Sequence, residues 1–295
     1  RMEVWKVDRS GGNQENRRSI IAIRDVGENG TTHPDRDLDQ AYNTVNSISD
    51  IRNISTARTA LNGLNVNGQD YRDGAHYLVN ENVRKLDPSE YSFNQQLGYI
   101  TLNSPLVDGE DLLAVSFQYT LADNPTKIYK VGEMSDEYDR TLITKLVKPN
   151  SAVNLTSPMW DLMMKNIYSL NAYGVDSQDF TMNVTFKDNS ENSSGSINYL
   201  PNTVTNNRPL IQVLNMDRLN QNGQPSTDPN GDTGDGMFDF IPGLTVDTQR
   251  GSIIFTSVQP FGSYLNRKLQ GQNEEYVFDE IYTKLPNILS GERLA

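Results

Sequence analysis

The apolar residues of this chain come in short runs that alternate with polar positions, separated by clusters of Asn, Asp, Ser, Thr and Gly. That pattern constrains the fold more than any other feature. Period-two alternation puts one set of side chains on each face of a strand. A glycine between two such runs permits the positive φ of a tight reversal. Tyr91-Ser92-Phe93 followed by Leu97-Gly98-Tyr99-Ile100-Thr101-Leu102 is one unit of this kind. Leu244-Thr245-Val246 followed by Arg250-Gly251-Ser252-Ile253-Ile254-Phe255 is its parallel, and each is trailed by a proline, Pro105 or Pro260.

The parallel extends to an internal duplication. One copy opens with Met2-Glu3-Val4-Trp5-Lys6-Val7, a polar loop and Ser19-Ile20-Ile21-Ala22-Ile23. The other opens with Phe180-Thr181-Met182-Asn183-Val184-Thr185-Phe186, a loop from Asn189 to Gly195, and Pro209-Leu210-Ile211-Gln212-Val213-Leu214. Third strands follow at Leu112 to Tyr119 and at Tyr276 to Tyr282. Two unrelated β-sandwich segments would look much the same, so duplication is one of two readings. Either way the pattern predicts an α+β, mainly β fold: two antiparallel, sandwich-like units with short helices between or beside them.

Two stretches change period. From Asp37 to Leu64, Leu38, Tyr42, Val45 and Ile48, then Ile51, Ile54 and Leu61, predict two short helices or one broken one, with a phase slip near Asp50 and an end at Asn62-Gly63. Ser157 and Pro158 supply an N-cap and a first-turn proline. Beyond them Trp160, Met163, Met164, Ile167 and Tyr168 fall at i, i+3, i+4, i+7 and i+8, one apolar helix face, either core-facing or a Met-rich docking surface. This gives three regions: residues 1–125 as a first β-rich unit with a helical insertion, 126–172 as a connector with the amphipathic helix, and 173–295 as a second β-rich unit.

Length and charge bound the function. The 295 residues suffice for two domains, and the 36 % apolar fraction is low because the loops are long. A net charge of −12 and the lack of a basic stripe argue against nucleic acid. With no cysteine, thiolate metal sites, disulfides and cysteine nucleophiles are excluded. No run reaches the ~18 apolar residues of a membrane helix. The chain opens at Arg1-Met2-Glu3-Val4-Trp5 directly in strand-like alternation, as an internal piece of a longer protein without a leader would.

Chemistry-bearing motifs are sparse. His33 and His76 sit in polar, turn-like contexts, outside zinc spacing and without a G-x-S-x-G elbow. Neither glycine-rich phosphate motif occurs. Paired carboxylates are not constrained by spacing, but nothing positive points to an enzyme, and none is expected. One segment carries a mechanism, Asp228-Pro229-Asn230-Gly231-Asp232-Thr233-Gly234-Asp235-Gly236-Met237-Phe238-Asp239. Asp228, Asn230, Asp232 and Asp239 fall at positions 1, 3, 5 and 12 of a calcium loop. Thr233 stands where such a loop wants Gly, and Asp239 where it wants Glu, so an Asx-rich turn before a strand is the alternative.

Several long runs resemble the SprA/Sov family. They are Lys85-Leu86-Asp87-Pro88-Ser89-Glu90-Tyr91, Leu97 through Asn103 and on to Tyr119-Thr120, and Trp160-Asp161-Leu162-Met163-Met164-Lys165-Asn166-Ile167-Tyr168-Ser169-Leu170. Leu214-Asn215-Met216-Asp217-Arg218-Leu219, Asp235 to Phe240, Pro260-Phe261-Gly262 and Tyr276-Val277-Phe278 complete the set. Members of that family are very large outer-membrane proteins of Bacteroidetes, the translocons of type IX secretion, needed for gliding where a species glides. The resemblance implies an internal, water-facing structural and interaction segment of a giant barrel. Its partners would be the rest of that barrel, other secretion-system subunits and exported proteins in transit. The extracellular side is preferred to the periplasmic one, since barrels place their longer loops there. The runs of lipid-facing alternation that the barrel itself needs are absent, and the family supplies no catalytic residue. A surface adhesin or ligand-binding module is the competing reading.

Overall fold

Strand β1 (Met2–Val7) pairs antiparallel on both of its sides, and this decides the architecture. The computed structural model describes residues 1–9, 17–27, 33–95, 97–107, 109–151, 153, 157–187, 195–225 and 234–278. The chain divides into two compact units, residues 1–93 with 98–163, and residues 94–97 with 164–295. It is α+β and mainly β, as the alternating runs predict.

The first unit holds β1, β2 (Arg17–Ile23), α1 (Gln40–Asn46), α2 (Ile54–Leu61), β3 (Asn65–Val66), β4 (Gln69–Asp70), β5 (Tyr77–Lys85), β6 (Tyr91–Asn94), β7 (Tyr99–Leu102), β8 (Leu113–Tyr119), β9 (Tyr129–Val131) and β10 (Leu142–Lys148). Trp5 faces Lys85 of β5 on one side and Ala114 of β8 on the other. β5 continues to β2 with Ile21 opposite Val79, β2 pairs parallel to β10 with Ile21 opposite Ile143, and β10 returns to β8. Five strands therefore close into a ring, which removes the free edges an open sheet would expose. β9 adds to the far end of β8, with Val131 opposite Phe117.

Alternation sorts the ring's side chains. Trp5, Ile20, Ala22, Leu78, Val83, Ala114, Leu142 and Leu146 fill the inside, with Met159 packed among them. Their neighbours Ile21, Ile23, Val79 and Ile143 point outward and are covered by Tyr42, Val45, Ala57 and Leu61 of the two helices. Val4, Leu113 and Val115 point outward on another side, under Tyr91, Ile100 and Leu102 of the β6–β7 hairpin. Each such aliphatic side chain, fully buried, contributes about 1.5–3 kcal/mol. Asp39 caps α1 by accepting from the Tyr42 N–H, and Asn53 caps α2 through the Ser55 N–H. Between the helices Asp50 takes a φ of 59°, at the expected phase slip.

The second unit has β11 (Ile167–Ser169), β12 (Phe186–Lys187), β13 (Ser196–Ile197), α3 (Leu210–Val213), β14 (Val246–Asp247), β15 (Ser252–Ile254) and α4 (Leu265–Lys268). β11, β15 and β14 form one antiparallel sheet, and β12 and β13 form another. The core of Leu200, Leu210, Ile211, Leu214, Met216, Ile253, Phe255 and Leu269 is flanked by aromatic rings, among them Phe180 against Phe240 at 5.1 Å and Phe255 against Phe261 at 5.1 Å.

Several expectations are corrected. The Met-rich helix does not form: a 3-10 turn spans Pro158–Leu162, Met163 leaves it with extended φ/ψ, and Ile167 to Ser169 pair with β15. Ser157 does cap the turn through the Met159 N–H. Met159 and Trp160 are buried whereas Met163 and Met164 are exposed, so the spacing of the set was coincidental. The region read as a connector contains β9 and β10, which belong to the first unit's sheet, and the chain passes between units at Met163–Met164.

The duplication ends at the hairpins. Both glycine reversals exist, with φ of 68° at Gly98 and 59° at Gly251. But Leu210 to Val213 are α-helical where the first copy has β2, because Leu210, Ile211, Val213 and Leu214 also satisfy helical spacing behind Pro209, the N-cap. Of the stretch from Phe180, only Phe186 and Lys187 are in a strand. Glu274 to Tyr276 form a 3-10 turn, and residues 279–282 of the expected third strand lie outside the described residues.

Candidate functional site

The segment read as a calcium loop meets the run Met216-Asp217-Arg218-Leu219 in the second unit. Asp217 is fully buried, and its carboxylate accepts from the backbone N–H groups of Asp235 at 3.1 Å and Gly236 at 2.9 Å and from the Gln212 amide at 2.9 Å. Asp239 returns the arrangement, accepting from the N–H of Arg218 at 2.5 Å and of Leu219 at 3.2 Å. Each carboxylate thus ties down the other's loop. Gly234 is required here, since a Cβ at that position would lie 2.3 Å from an Asp217 carboxylate oxygen.

The electrostatics of the pair are uneven. Burial pushes the Asp239 carboxyl up, the nearby Asp217 and Asp235 charges push it further, and the two amide hydrogen bonds act against both. Asp228, Asn230 and Asp232 lie outside the described residues. Among the described residues no group of three or more His, Asp or Glu is placed to hold a metal ion. Asp217 was not singled out from sequence. Its signal was a lone acid inside an otherwise apolar run, which when buried must find donors.

Elsewhere the second unit has a groove of about 480 Å3 lined by Val184, Phe186, Leu210, Phe261, Tyr276 and Phe278. In the first unit His76, read as a turn residue, is buried, stacked on Tyr71 at 5.1 Å between ring centroids. Its Nδ1 accepts from the Arg72 N–H at 3.2 Å, and burial lowers its pKa, so it packs as a neutral ring. Of the set read as one apolar helix face, Trp160 is buried.

Some of the runs that carry the family resemblance form strands, among them Tyr99–Leu102 and Ile167–Ser169, and others form turns. In Lys85 to Tyr91, Glu90 accepts from both Arg84 Nη1 and Nη2 at 2.7 and 2.6 Å and from the Asp87 N–H at 2.9 Å, closing a capping box on the Pro88–Glu90 turn. Pro260 to Tyr264 form a π-type turn in which Gly262 takes φ −104° and ψ −113°. No protein-family model matches the chain, and comparison with curated proteins finds no relative. Among the described residues no helix is long and apolar enough to cross a membrane.

Proposed function

We propose that this chain is a structural and interaction segment of a giant outer-membrane protein-export pore of the SprA/Sov type, with no catalysis of its own. The observation that carries the reading is the unbroken length of the resembling runs, spread from Lys85 to Phe278. Their position supports it: Asp87 to Tyr91, Asp217 with Asp235 to Asp239, and Pro260 to Tyr264 all build braced turns. Braced turns hold a surface in one shape for partners, here the remainder of the barrel, other secretion subunits and cargo in transit. The segment faces water on the extracellular side. Deleting residues 1–295 from the parent protein should stop export of a cargo bearing a C-terminal sorting signal while the barrel still reaches the outer membrane. Protease added to intact cells should cut within this segment. A parent reading frame without abundant amphipathic strands sinks the proposal, and specific glycan binding by the isolated chain would favour the adhesin reading.

A second reading concerns calcium at Asp228, Asn230, Asp232 and Asp239. It is favoured by Asp239, a half-buried carboxyl with the Asp217 and Asp235 charges beside it, an excess of negative charge that a divalent cation relieves. A ligand that binds only the folded state raises the melting temperature. Equal melting temperatures in millimolar calcium and in chelator discard the site.

A further inference from the structure

Cations are used differently in the two units. In the first they sit on carboxylates: Arg17 on Asp8, Arg52 on Glu133, Arg84 on Glu90, Lys130 on Glu137. In the second unit two cations lie over one aromatic ring, and a third acts on the same phenol through its charge. The Arg267 guanidinium carbon lies 5.7 Å and the Lys268 ammonium 5.5 Å from the centre of the Tyr264 ring. Arg218, brought in from the loop after α3, acts on the same phenol: it and Arg267 oppose the rise in pKa that burial imposes on Tyr264.

The local structure explains the convergence. The turn at Pro260–Tyr264 runs directly into α4, so Tyr264, Arg267 and Lys268 stand at i, i+3 and i+4 on one helix face. Asp239 holds the Arg218 backbone N–H and thereby fixes where that side chain starts. All three cations are exposed and Tyr264 is half-buried. Among the described residues, none of the three pairs with a carboxylate, and the Tyr264 hydroxyl has no hydrogen-bond partner. With a net charge of −12 the chain has no shortage of acids, so this cluster of like charge is uncompensated in spite of a surplus of candidates. Like charges held together repel, and an anion from outside removes the repulsion.

The geometry points to a phosphate-binding site formed by Arg218, Tyr264, Arg267 and Lys268. Guanidinium forks match the oxygens of a tetrahedral oxyanion, the lysine adds a point charge, and the phenol offers one O–H. A single carboxylate is satisfied by one fork. A phosphate monoester, with a charge of about −1.5 to −2 and three acceptor oxygens, uses the whole set. The site is a surface cluster without walls, so it reads the phosphate group and not what is attached, whether a soluble ester or a lipid headgroup.

The full chain, titrated calorimetrically with inorganic pyrophosphate, should bind, with affinity falling as salt rises. Flotation with phosphatidylcholine vesicles, with and without phosphatidic acid, separates the sources: binding to the acidic vesicles only means a lipid headgroup, and binding to pyrophosphate without flotation means a soluble phosphate. Arg218→Gln and Arg267→Gln should each weaken binding about tenfold, the loss of one charge-assisted hydrogen bond at an exposed site. Lys187→Gln, at an exposed cation of the same unit that is not among those acting on the Tyr264 ring, should leave it unchanged. Circular dichroism melting checks that the variants, all at exposed positions, stay folded. No binding to either probe, or equal weakening by Lys187→Gln, overturns the site.

Discussion

Arg52 and Glu133 meet fork to fork inside the first unit. Arg52 Nη2 lies 2.6 Å from Glu133 Oε1 and Nη1 lies 2.5 Å from Oε2, and the carboxylate is completely buried. Glu133 also accepts from the Tyr42 hydroxyl at 2.7 Å and the Ile143 N–H at 2.7 Å, while Arg52 donates to the Thr141 carbonyl and lies over the Tyr138 ring at 4.4 Å. The link between α1 and α2 is thereby fastened to β10 of the ring. Burial and the Glu133 charge push the Tyr42 hydroxyl pKa up, so it remains a donor at any ordinary pH.

Breaking this pair from one side should be costly. Arg52→Met leaves a buried carboxylate without its cation, and about 3–5 kcal/mol of stability should be lost in urea unfolding. Replacing both partners, Arg52→Met with Glu133→Leu, should recover a large part of that loss. Equal stability of the single variant and the parent would mean the pair carries no load.

The 3-10 turn at Pro158–Leu162 sets up a contrast between neighbours. Trp160→Ala should cost about 3–5 kcal/mol, as for other large buried aromatics. Met164→Gln should stay within about 0.5 kcal/mol because Met164 is exposed. A continuous helix burying both would instead make both variants costly, so paired melting curves decide between them.

The two hairpin glycines should respond unequally to alanine. At Gly98 the added methyl meets open space, and the cost is the left-handed backbone alone, about 1–2 kcal/mol. At Gly251 the methyl would lie 2.0 Å from the Ala172 carbonyl oxygen, so Gly251→Ala should lose clearly more. Equal losses by chemical denaturation would show that the Ala172 segment moves aside freely.

Acid should weaken the turn at Glu90. Its hydrogen bonds from Arg84, helped by the Asp87 N–H, hold its pKa down to about 2, against an ordinary value of 4.5. A depressed carboxyl stabilises the fold above its unfolded pKa and loses that contribution as pH falls from about 4.5 through about 2. Because the pair is partly exposed, solvent screening limits it to at most about 1 kcal/mol. Glu90→Gln should flatten the stability profile over that window and leave the neutral-pH melting temperature only slightly lower. The Asp239 carboxyl, whose pKa is raised, has the opposite sign: its share of stability is present at low pH and is lost as pH rises.

Much of this structure is determined locally. Alternation at Met2–Val7 and Leu113–Tyr119, the reversals at Gly98 and Gly251, the break at Asp50 and the cap at Ser157 all follow from chain stereochemistry and side-chain period, which act within a few residues. What the alternation leaves open is which strand pairs with which. Only the tertiary structure joins β1 to both β5 and β8 and lays β2 parallel to β10, because backbone donors on a strand are the same whatever partner arrives, and packing across the ring selects it. The same holds where period is ambiguous: Leu210 to Leu214 fits strand or helix until the second unit's core accepts a helix, and Trp160 to Tyr168 fits a helix until β15 takes Ile167 to Ser169 as a strand. Buried charge is likewise decided at long range, since nothing near Glu133 or Asp217 in sequence announces the Arg52 guanidinium or the Asp235 and Gly236 amides that satisfy them.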